Sequence, residues 1–260
     1  MGRVVRPVVR PVIRDVVRAT AGSAIAGGGS ESPFDPATLY TGGKRGIWIK
    51  PRDWTTLRQS YLGTTNVTAA TDPVGYAADQ SGRGNHMVNA SAPGRPLAAT
   101  VGSVNCIDFD GTDDALATSG TSAGFITGMD YFLVVYIDAL ASVAFAYNDI
   151  GGGFGVAVNG SASSAVSSAG SPSYKINGVS VPGGTGATRD QLYDALSSGG
   201  WIIVEANAAT LTAWPNFRIG GLAGFQINGK VAEMILCESV DDATRARIRT
   251  YLGSHVGLTL

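Results

Sequence analysis

Short apolar runs separated by turn-forming residues recur along most of this chain. The clearest strand candidates are residues 46–50, 104–109, 131–137, 154–159, 201–206, 217–220 and 229–236. Residues 131–137 are continuously apolar, as expected for a central strand. Asn159-Gly160 and Asn228-Gly229 are hairpin signals between such runs. With glycine at 36 of 260 residues and charged residues at only 15%, this pattern predicts an all-β fold of many short strands.

The end of the chain breaks this pattern. Residues 241–253 carry acidic residues first and arginines afterwards, an order that suits the dipole of a helix. Ser239 and Asp241 are both candidate caps, and Gly253 is the expected end. The expected buried side of the helix consists of Ala243, Ile248, Tyr251 and Leu252. We therefore expect one helix packed on a β-sandwich.

Composition divides the chain into three regions. Residues 1–20 form a basic arm rich in valine and arginine, residues 21–36 form a linker of small residues, and residues 37–260 form the predicted sandwich. Pro7 and Pro11 oppose a helix in the first half of the arm. We therefore expect extended chain there, followed by a short helix.

The arm is predicted to anchor the protein to another subunit. In this interpretation its arginines meet carboxylates of a partner, and its valines enter a groove. The expected anchor residues are Arg3, Arg6, Arg10, Arg14, Arg18, Val8 and Val12. A disordered tail and a nucleic-acid-binding arm are the alternatives. The dense valines and a net charge of −1 for the whole chain oppose binding to nucleic acid.

Two further features bear on cross-linking and on membranes. Cys106 and Cys237 each lie in an apolar run, and both a pair of buried thiols and a disulfide fit that placement. No apolar stretch approaches the ~20 residues that a bilayer-spanning helix needs. Arginines interrupt the valines of the arm, so we expect no signal peptide there.

An ordered set of motifs runs through the predicted sandwich. The motifs are residues 46–53 (GIWIKPRD), 56–59 (TLRQ), 72–75 (DPVG), 79–86 (DQSGRGNH), 95–97 (RPL), 107–114 (IDFDGTDD) and 229–236 (GKVAEMIL). Together with the closing helix, this set resembles concanavalin A-like lectin/glucanase (laminin-G-like) domains of tailed-phage virion structural proteins. The resemblance covers about residues 34–260. It implies a jelly-roll sandwich of two antiparallel sheets that serves as a binding or structural module.

Enzymatic members of this fold carry two glutamates and an aspartate on one strand, in the spacing E-x-D-x-E. That spacing places the carboxylates on the same side of the strand, as retaining glycoside hydrolysis needs. The glutamates here are Glu31, Glu205, Glu233 and Glu238, and none stands in that pattern. We therefore expect no enzymatic activity. A carbohydrate-active enzyme is the less favoured alternative, because the sequence leaves open whether Glu205 and Glu233 meet in space.

Calcium is the one metal ion whose binding the resemblance implies. Many laminin-G-like domains bind Ca²⁺ at a rim through aspartates and backbone carbonyls, ligands that suit a hard cation. The candidate ligands here are Asp79, Asp110, Asp113 and Asp114. The alternative is that these aspartates cap turns. No other cofactor is expected.

Sugar binding would use exposed aromatic rings beside amide groups in the loops. Trp214, Asn216, Tyr147 and Tyr174 fit that composition. Packing in the core or an ordinary surface position explains the same residues equally well.

Taken together, these features predict a virion structural protein, made in the host cytoplasm and displayed on the phage particle. The favoured role is a tail-fibre or baseplate receptor-binding component, and the alternative is a capsid decoration or head-fibre protein. The expected partners are other virion proteins, reached through the arm, and a host surface glycan. A homo-oligomer is expected, with a trimer favoured.

Overall fold

Two antiparallel sheets, one of eight strands and one of seven, form the framework of the described part of the chain. The computed structural model describes residues 33–119, 125–148, 153–166, 170–212, 214–220 and 224–260, with the backbone alone at 153–155. Within it, Pro33–Leu260 forms one compact unit. The expected anchor residues Arg3, Arg6, Arg10, Arg14, Arg18, Val8 and Val12 lie outside the described residues. The anchoring arm and its borders therefore stay predictions.

The strands, in chain order, are β1 (Gly46–Ile49), β2 (Leu57–Arg58), β3 (Tyr76–Ala77), β4 (Met87–Val88), β5 (Leu97–Val101), β6 (Val104–Asp110), β7 (Ala115–Thr118), β8 (Thr127–Ile137), β9 (Val143–Asn148), β10 (Gly153–Val158), β11 (Ser173–Ile176), β12 (Val179–Ser180), β13 (Trp201–Thr210), β14 (Arg218–Gly220) and β15 (Asn228–Glu238). The α-helices are α1 (Arg189–Ala195) and α2 (Asp242–Val256), and 3₁₀ turns lie at Pro36–Gly43, Trp54–Thr56 and Gly184–Gly186. This architecture confirms the prediction of an all-β fold of two antiparallel sheets with a C-terminal helix. Among the described helices, none is both long enough and apolar enough to cross a bilayer.

The strand order explains why the central strands are apolar. The eight-stranded sheet has the order β12-β11-β13-β8-β15-β6-β5, and β1 also pairs with β15. The seven-stranded sheet has the order β10-β9-β14-β7-β4-β3-β2. Strand β8 is paired on both edges and, apart from its first two residues and Tyr136, is buried along its length. A strand covered on both faces needs no polar alternation, so its sequence reads as one continuous apolar run.

Side chains of β8 alternate between two apolar cores. Leu133 and Val135 enter the inner core, which lies between the two sheets. Phe132 points the other way, into an outer core on the far side of the eight-stranded sheet. Ile248 and Leu252 of α2 complete that outer core. The eight-stranded sheet is therefore covered on both faces over its central strands.

Helix α2 differs from its prediction in extent. Asp241 caps its start, and its carboxylate accepts a backbone N–H of the first turn. The predicted end at Gly253 is wrong, because the helix continues to Val256 and is capped by Gly257 at a φ of 74°. Ala243, expected on the buried side, is exposed. Only a left-handed residue stops a helix in this way, and the glycine at 257, not the one at 253, takes that conformation.

Cys106 in β6 and Cys237 in β15 are both free and both buried. Burial raises the pKa of the Cys106 thiol to about 12. Burial also raises the pKa of Cys237, and the nearby carboxylate of Asp130 adds to this effect. Both side chains are therefore protonated thiols at neutral pH and pack as small apolar groups.

Candidate functional site

The four residues predicted to bind sugar through exposed rings and amides are buried. The exposed fractions are 6% for Trp214, 8% for Asn216, 1% for Tyr147 and 2% for Tyr174. Trp214 and Tyr174 belong to the inner core, where the ring of Trp214 lies 5.9 Å from that of Phe217. The prediction that these residues face solvent is wrong, because large aromatic surfaces gain more by entering the core.

Asp79 is separate from the other predicted calcium ligands. Its carboxylate accepts backbone N–H bonds at 2.9 Å from Trp48, Ser81 and Asn85. The Ser81 hydroxyl donates to it as well, at 2.7 Å. These donors use the carboxylate fully, so Asp79 caps the turn at residues 79–85 and holds it against β1. Its assignment as a calcium ligand is corrected.

The remaining aspartates do come together in the turn between β6 and β7. Ligand atoms of Asp110, Asp113 and Asp114 all lie within 4.8 Å of one another. Asp110 Oδ1 accepts the N–H of Thr112, and Asp114 Oδ2 accepts the N–H of Asp110. Burial, with the charges of Asp110 and Asp113 adding to it, raises the pKa of Asp114 to about 6. The donor set fits a hard cation, and calcium binding here stays a prediction.

Glu205 and Glu233 do not form a carboxylate pair. They lie on β13 and β15, with β8 between them, which places them about 10 Å apart or more. Each is buried against an arginine: Glu205 against Arg249 at 3.1 Å, and Glu233 against Arg52 at 2.5 Å. Glu233 also accepts the indole N–H of Trp48 at 2.7 Å. Both glutamates therefore hold the outer core and its helix in place.

The outer face of the seven-stranded sheet offers a different set of side chains. One row crosses the sheet from strand to strand in paired register: Arg58 with Tyr76, Tyr76 with Val88, Val88 with Ala117, Ala117 with Arg218, and Arg218 with Tyr147. We call these six residues the outer row. Their neighbours Leu57, Ala77, Met87, Leu116 and Ile219 point into the inner core. Because side chains alternate along a strand, the outer row faces away from that core.

A shallow cleft lies over the middle of the outer row. It is lined by Val88, Asn89, Ala90, Ala115, Ala117 and Arg218, and its volume is about 110 Å³. Small side chains on β4 and β7 leave this space, and Arg218 bounds it on one side. The Asn89 amide holds the opposite wall by donating to the Ala115 carbonyl at 2.9 Å. The cleft is therefore built on regular strands and fixed side chains.

Tyr76 adds an aromatic group beside the cleft. It is half-buried, and its ring lies 5.1 Å from that of His86. Burial raises the pKa of Tyr76, with a contribution from Asp79 against the opposing effect of Arg58, so its hydroxyl stays neutral. His86 Nδ1 accepts the N–H of Asp79 at 3.1 Å, so its proton lies on Nε2.

At the other end of the row, the Arg218 guanidinium lies over the ring of Tyr147, 5.5 Å from its centroid. The outer row thus combines an aromatic ring, two guanidinium groups and a cleft with small apolar walls. Such a combination binds polar ligands that have both flat apolar faces and hydrogen-bonding edges.

This face has little signal in the sequence. Each member of the outer row comes from a different strand, and β2, β3 and β4 have only two residues each. Alternation cannot be recognised in two residues. The one local signal is an apolar residue beside a more polar one, in Leu57-Arg58 and Tyr76-Ala77.

No family model matches the chain. No curated protein matches it either. A solved structure that it resembles is the Trypanosoma rangeli sialidase in complex with the inhibitor DANA, at 14% identity and a TM-score of 0.43. The match covers 85% of this chain and 34% of that one, so this chain spans about a third of the sialidase's length.

This match corrects one expectation from the sequence. The chain was expected to have no enzymatic activity, and the structure it matches is that of an enzyme. The expectation that the chain has no enzymatic activity is therefore withdrawn. At this identity and TM-score, the match assigns neither an activity nor a substrate to this chain.

Proposed function

We propose that this protein is a glycan-binding component of a phage virion, held in the particle by its N-terminal arm. The observation that carries the glycan-binding part is the outer row, with Tyr76 and Arg218 flanking the cleft over Ala117. Sugar rings have apolar faces that stack on aromatic rings, and hydroxyl edges that bond to guanidinium and amide groups. A flat open face also accommodates a chain of sugars better than a deep pocket does.

The compact unit Pro33–Leu260, called the body below, has its own core, which supports a separate role for the arm. Phe34, close to the start of the described residues, packs edge-on against Tyr251 of α2 at 5.9 Å. Leu39 and Tyr40 are buried in the outer core. The core of the described residues is thus closed by residues that follow the arm. Anchoring is accordingly proposed as a role of the arm that is distinct from the packing of this core.

The virion assignment comes from the motif set and its resemblance to domains of tailed-phage structural proteins. A tail-fibre or baseplate position suits a glycan-binding face, because receptor binding is the task of those parts. A capsid decoration or head-fibre position is the alternative. Both positions need the arm, so the arm alone does not distinguish them.

Glycan binding is tested with the full-length chain on an array of bacterial surface polysaccharides. Tyr76→Ala should weaken binding at least about tenfold, in the range of a contact that dominates an interface. Tyr136→Ala is the matched control, because it removes a half-buried tyrosine from the other sheet, where it packs against Trp201 at 5.6 Å. Absence of binding, or equal losses in the two variants, would refute the proposal. Release of reducing ends from the same glycans is measured in parallel and reports hydrolysis.

The anchor is tested by deleting residues 1–20 and following incorporation into particles. We expect loss of incorporation with an unchanged unfolding midpoint of the body. Immunogold labelling of particles carrying the full-length chain then separates tail from capsid. Normal incorporation of the deletion variant would refute the anchor.

A further inference from the structure

A cavity lies against helix α2, on the side of the eight-stranded sheet that carries the outer core. Its volume is about 400 Å³, which is within the range of small-molecule sites. The 3₁₀ turn at Pro36–Gly43 and its flanking residues form one wall. The connection between β15 and α2, with the first two turns of that helix, forms the other. The outer row lies on the opposite side of the molecule, because both sheets and the inner core separate it from this cavity.

Two cationic side chains line the cavity, Lys44 from one wall and Arg247 from the other, and both are exposed. Among the described residues, neither forms an ion pair. The Arg247 guanidinium lies over the ring of Phe34, 5.4 Å from its centroid, and that ring is fixed by its edge-on contact with Tyr251. An aromatic ring orients a guanidinium without neutralising its charge. Both cations therefore keep their charge for an anion in the cavity.

One carboxylate also borders the cavity and limits the charge of the ligand. Asp241 accepts the N–H of Thr244 at 2.7 Å and so caps α2. Because this carboxylate occupies the start of the helix, Lys44 and Arg247 are the groups left to bind a negative charge. Two positive charges and one negative charge at the walls favour a singly charged anion over a doubly charged one.

Two hydroxyl oxygens at the walls set a second requirement for the ligand. Thr38 Oγ1 donates to the Asp35 carbonyl at 2.7 Å. Ser239 Oγ donates to Oδ1 of Asp130 at 3.0 Å. A hydroxyl has only one proton, so each oxygen can only accept a hydrogen bond from a ligand. A ligand that matches the cavity therefore brings O–H groups as well as a negative charge.

Apolar side chains complete the lining. Leu39 is buried and Val240 is half-buried, and both belong to the outer core or pack against it. Such a surface suits the C–H groups of a carbon ring. A carboxylate, several hydroxyls and a carbon ring occur together in uronic acids. Acetate has the charge without the hydroxyls, and a neutral sugar has the hydroxyls without the charge, so each fits only part of the cavity.

We propose that this cavity binds a uronic acid, with its carboxylate between Lys44 and Arg247 and its hydroxyls towards Thr38 and Ser239. These four side chains are exposed, so the cavity is open to solvent along them. A free uronic acid and the terminal unit of an acidic polysaccharide share this chemistry and can both enter. The site is separate from the outer row and goes beyond the glycan binding proposed there.

The test compares uronic acids with molecules that have only part of their chemistry. The full-length chain is titrated by calorimetry with glucuronate and galacturonate, with glucose and galactose, and with acetate. We expect at least one uronate to bind ten times or more tightly than its neutral sugar and than acetate, with an affinity that falls as salt is added. Trigalacturonate separates the two sources: its binding supports the terminal unit of a polysaccharide, and its exclusion supports a free uronic acid.

Charge variants test the two cations. Lys44→Gln and Arg247→Gln should each weaken uronate binding about tenfold, as expected for the loss of one charge-assisted hydrogen bond. Lys44→Arg and Arg247→Lys keep the charge and should recover part of the affinity. Lys50→Gln is the matched control, because Lys50 pairs with Asp53 at 3.1 Å and does not line the cavity. Unfolding midpoints of all variants show whether the fold is intact.

A separate variant tests the hydroxyl requirement. Thr38→Val keeps the shape of the side chain and removes its oxygen. It should weaken uronate binding about fivefold, the effect of one neutral hydrogen bond, and leave acetate binding unchanged. An equal loss for uronate and acetate would overturn the assignment of the sugar hydroxyls to this wall.

Three results would overturn the proposal. The first is equal binding of each uronate and its neutral sugar, or no uronate binding at all. The second is an equal loss of affinity in Lys44→Gln and Lys50→Gln. The third is tighter binding of inorganic phosphate than of either uronate, which would identify a simple anion site. None of these results changes the surface-polysaccharide array or its response to Tyr76→Ala, so the proposed function is tested independently.

Discussion

The Oδ2 atom of Asp130 lies 2.8 Å from Nε of Arg245, in an ion pair whose acidic partner has no exposed surface. The same carboxylate accepts the N–H of Ala208 at 2.9 Å and that of Val240 at 3.1 Å. It therefore joins β13, the connection after β15, and helix α2. Arg249, one turn further along the helix, pairs in the same way with the buried Glu205.

Arg245→Ala should destabilise the protein strongly, because it leaves the Asp130 carboxylate buried without its counter-ion. We expect a loss of about 3 kcal/mol in the free energy of unfolding, the lower end for a broken buried pair, since backbone donors remain. Denaturant unfolding followed by circular dichroism measures it. Arg247→Ala, an exposed arginine on the same helix, serves as the control and should cost less than about 1 kcal/mol. Similar losses in the two variants would show that the pair does not hold the helix.

Gly46→Ala should be among the most damaging small substitutions in the body. Gly46 has a φ of 151°, and a Cβ there would lie 2.0 Å from the Leu236 carbonyl oxygen. Strand β1 would have to leave β15, so we expect a cost of about 3 kcal/mol or more. Gly102→Ala is the matched control, with a φ of 60° and no atom within 4 Å, and should cost only about 1 kcal/mol. A mild effect at Gly46, measured by thermal unfolding, would contradict this close approach.

The sequence predicts those structural features whose signal lies within a short stretch of residues, and it misses those that depend on the tertiary structure. The apolar run at residues 131–137 identified β8, because a strand buried on both faces needs a continuous run. The end of helix α2 was predicted at Gly253 instead of Gly257. The two glycines give the same sequence signal, and only their backbone conformations differ. Trp214 was misplaced because an aromatic ring looks the same whether it packs inside or faces solvent. Arg58 and Arg218 were missed because strand order, which no local pattern carries, brings them into one row.

Asp114 should make stability depend on pH. Its pKa is about 6 in the folded protein, against an ordinary value of 3.8, so the folded state binds the proton more tightly than the unfolded state does. The resulting stabilisation is present below pH 3.8 and is lost as the pH rises through about 6. Asp114→Asn should remove this dependence and raise stability at pH 7 by about 1 kcal/mol, allowing for solvent screening. Denaturant unfolding measures the free energy of unfolding of wild type and variant across this pH range. If the two changed in parallel with pH, the raised pKa of Asp114 would be disproved.

Calcium, if it binds the Asp110, Asp113 and Asp114 group, should raise the unfolding midpoint at pH 7. A ligand at a hundred times its dissociation constant stabilises by about 2.7 kcal/mol, which is well within detection. Thermal unfolding is compared in calcium, in magnesium and in chelator. Asp113→Asn should remove the calcium effect, because it takes away an exposed ligand while leaving the backbone bonds of the turn in place. Equal midpoints in calcium and chelator would leave these aspartates as turn-forming residues.

The thiols of Cys106 and Cys237 should be unreactive in the native protein. Both are buried, and burial raises the pKa of each, so neither reactive thiolate nor access is available at pH 8. We expect no labelling by a maleimide under native conditions, and two labels per chain once the protein is unfolded without reductant. Mass spectrometry counts the labels. Two labels would also exclude the disulfide that the sequence left open, whereas none after unfolding would establish it. Rapid labelling of the native protein would show that β6 or β15 opens locally, contrary to their central positions in the eight-stranded sheet.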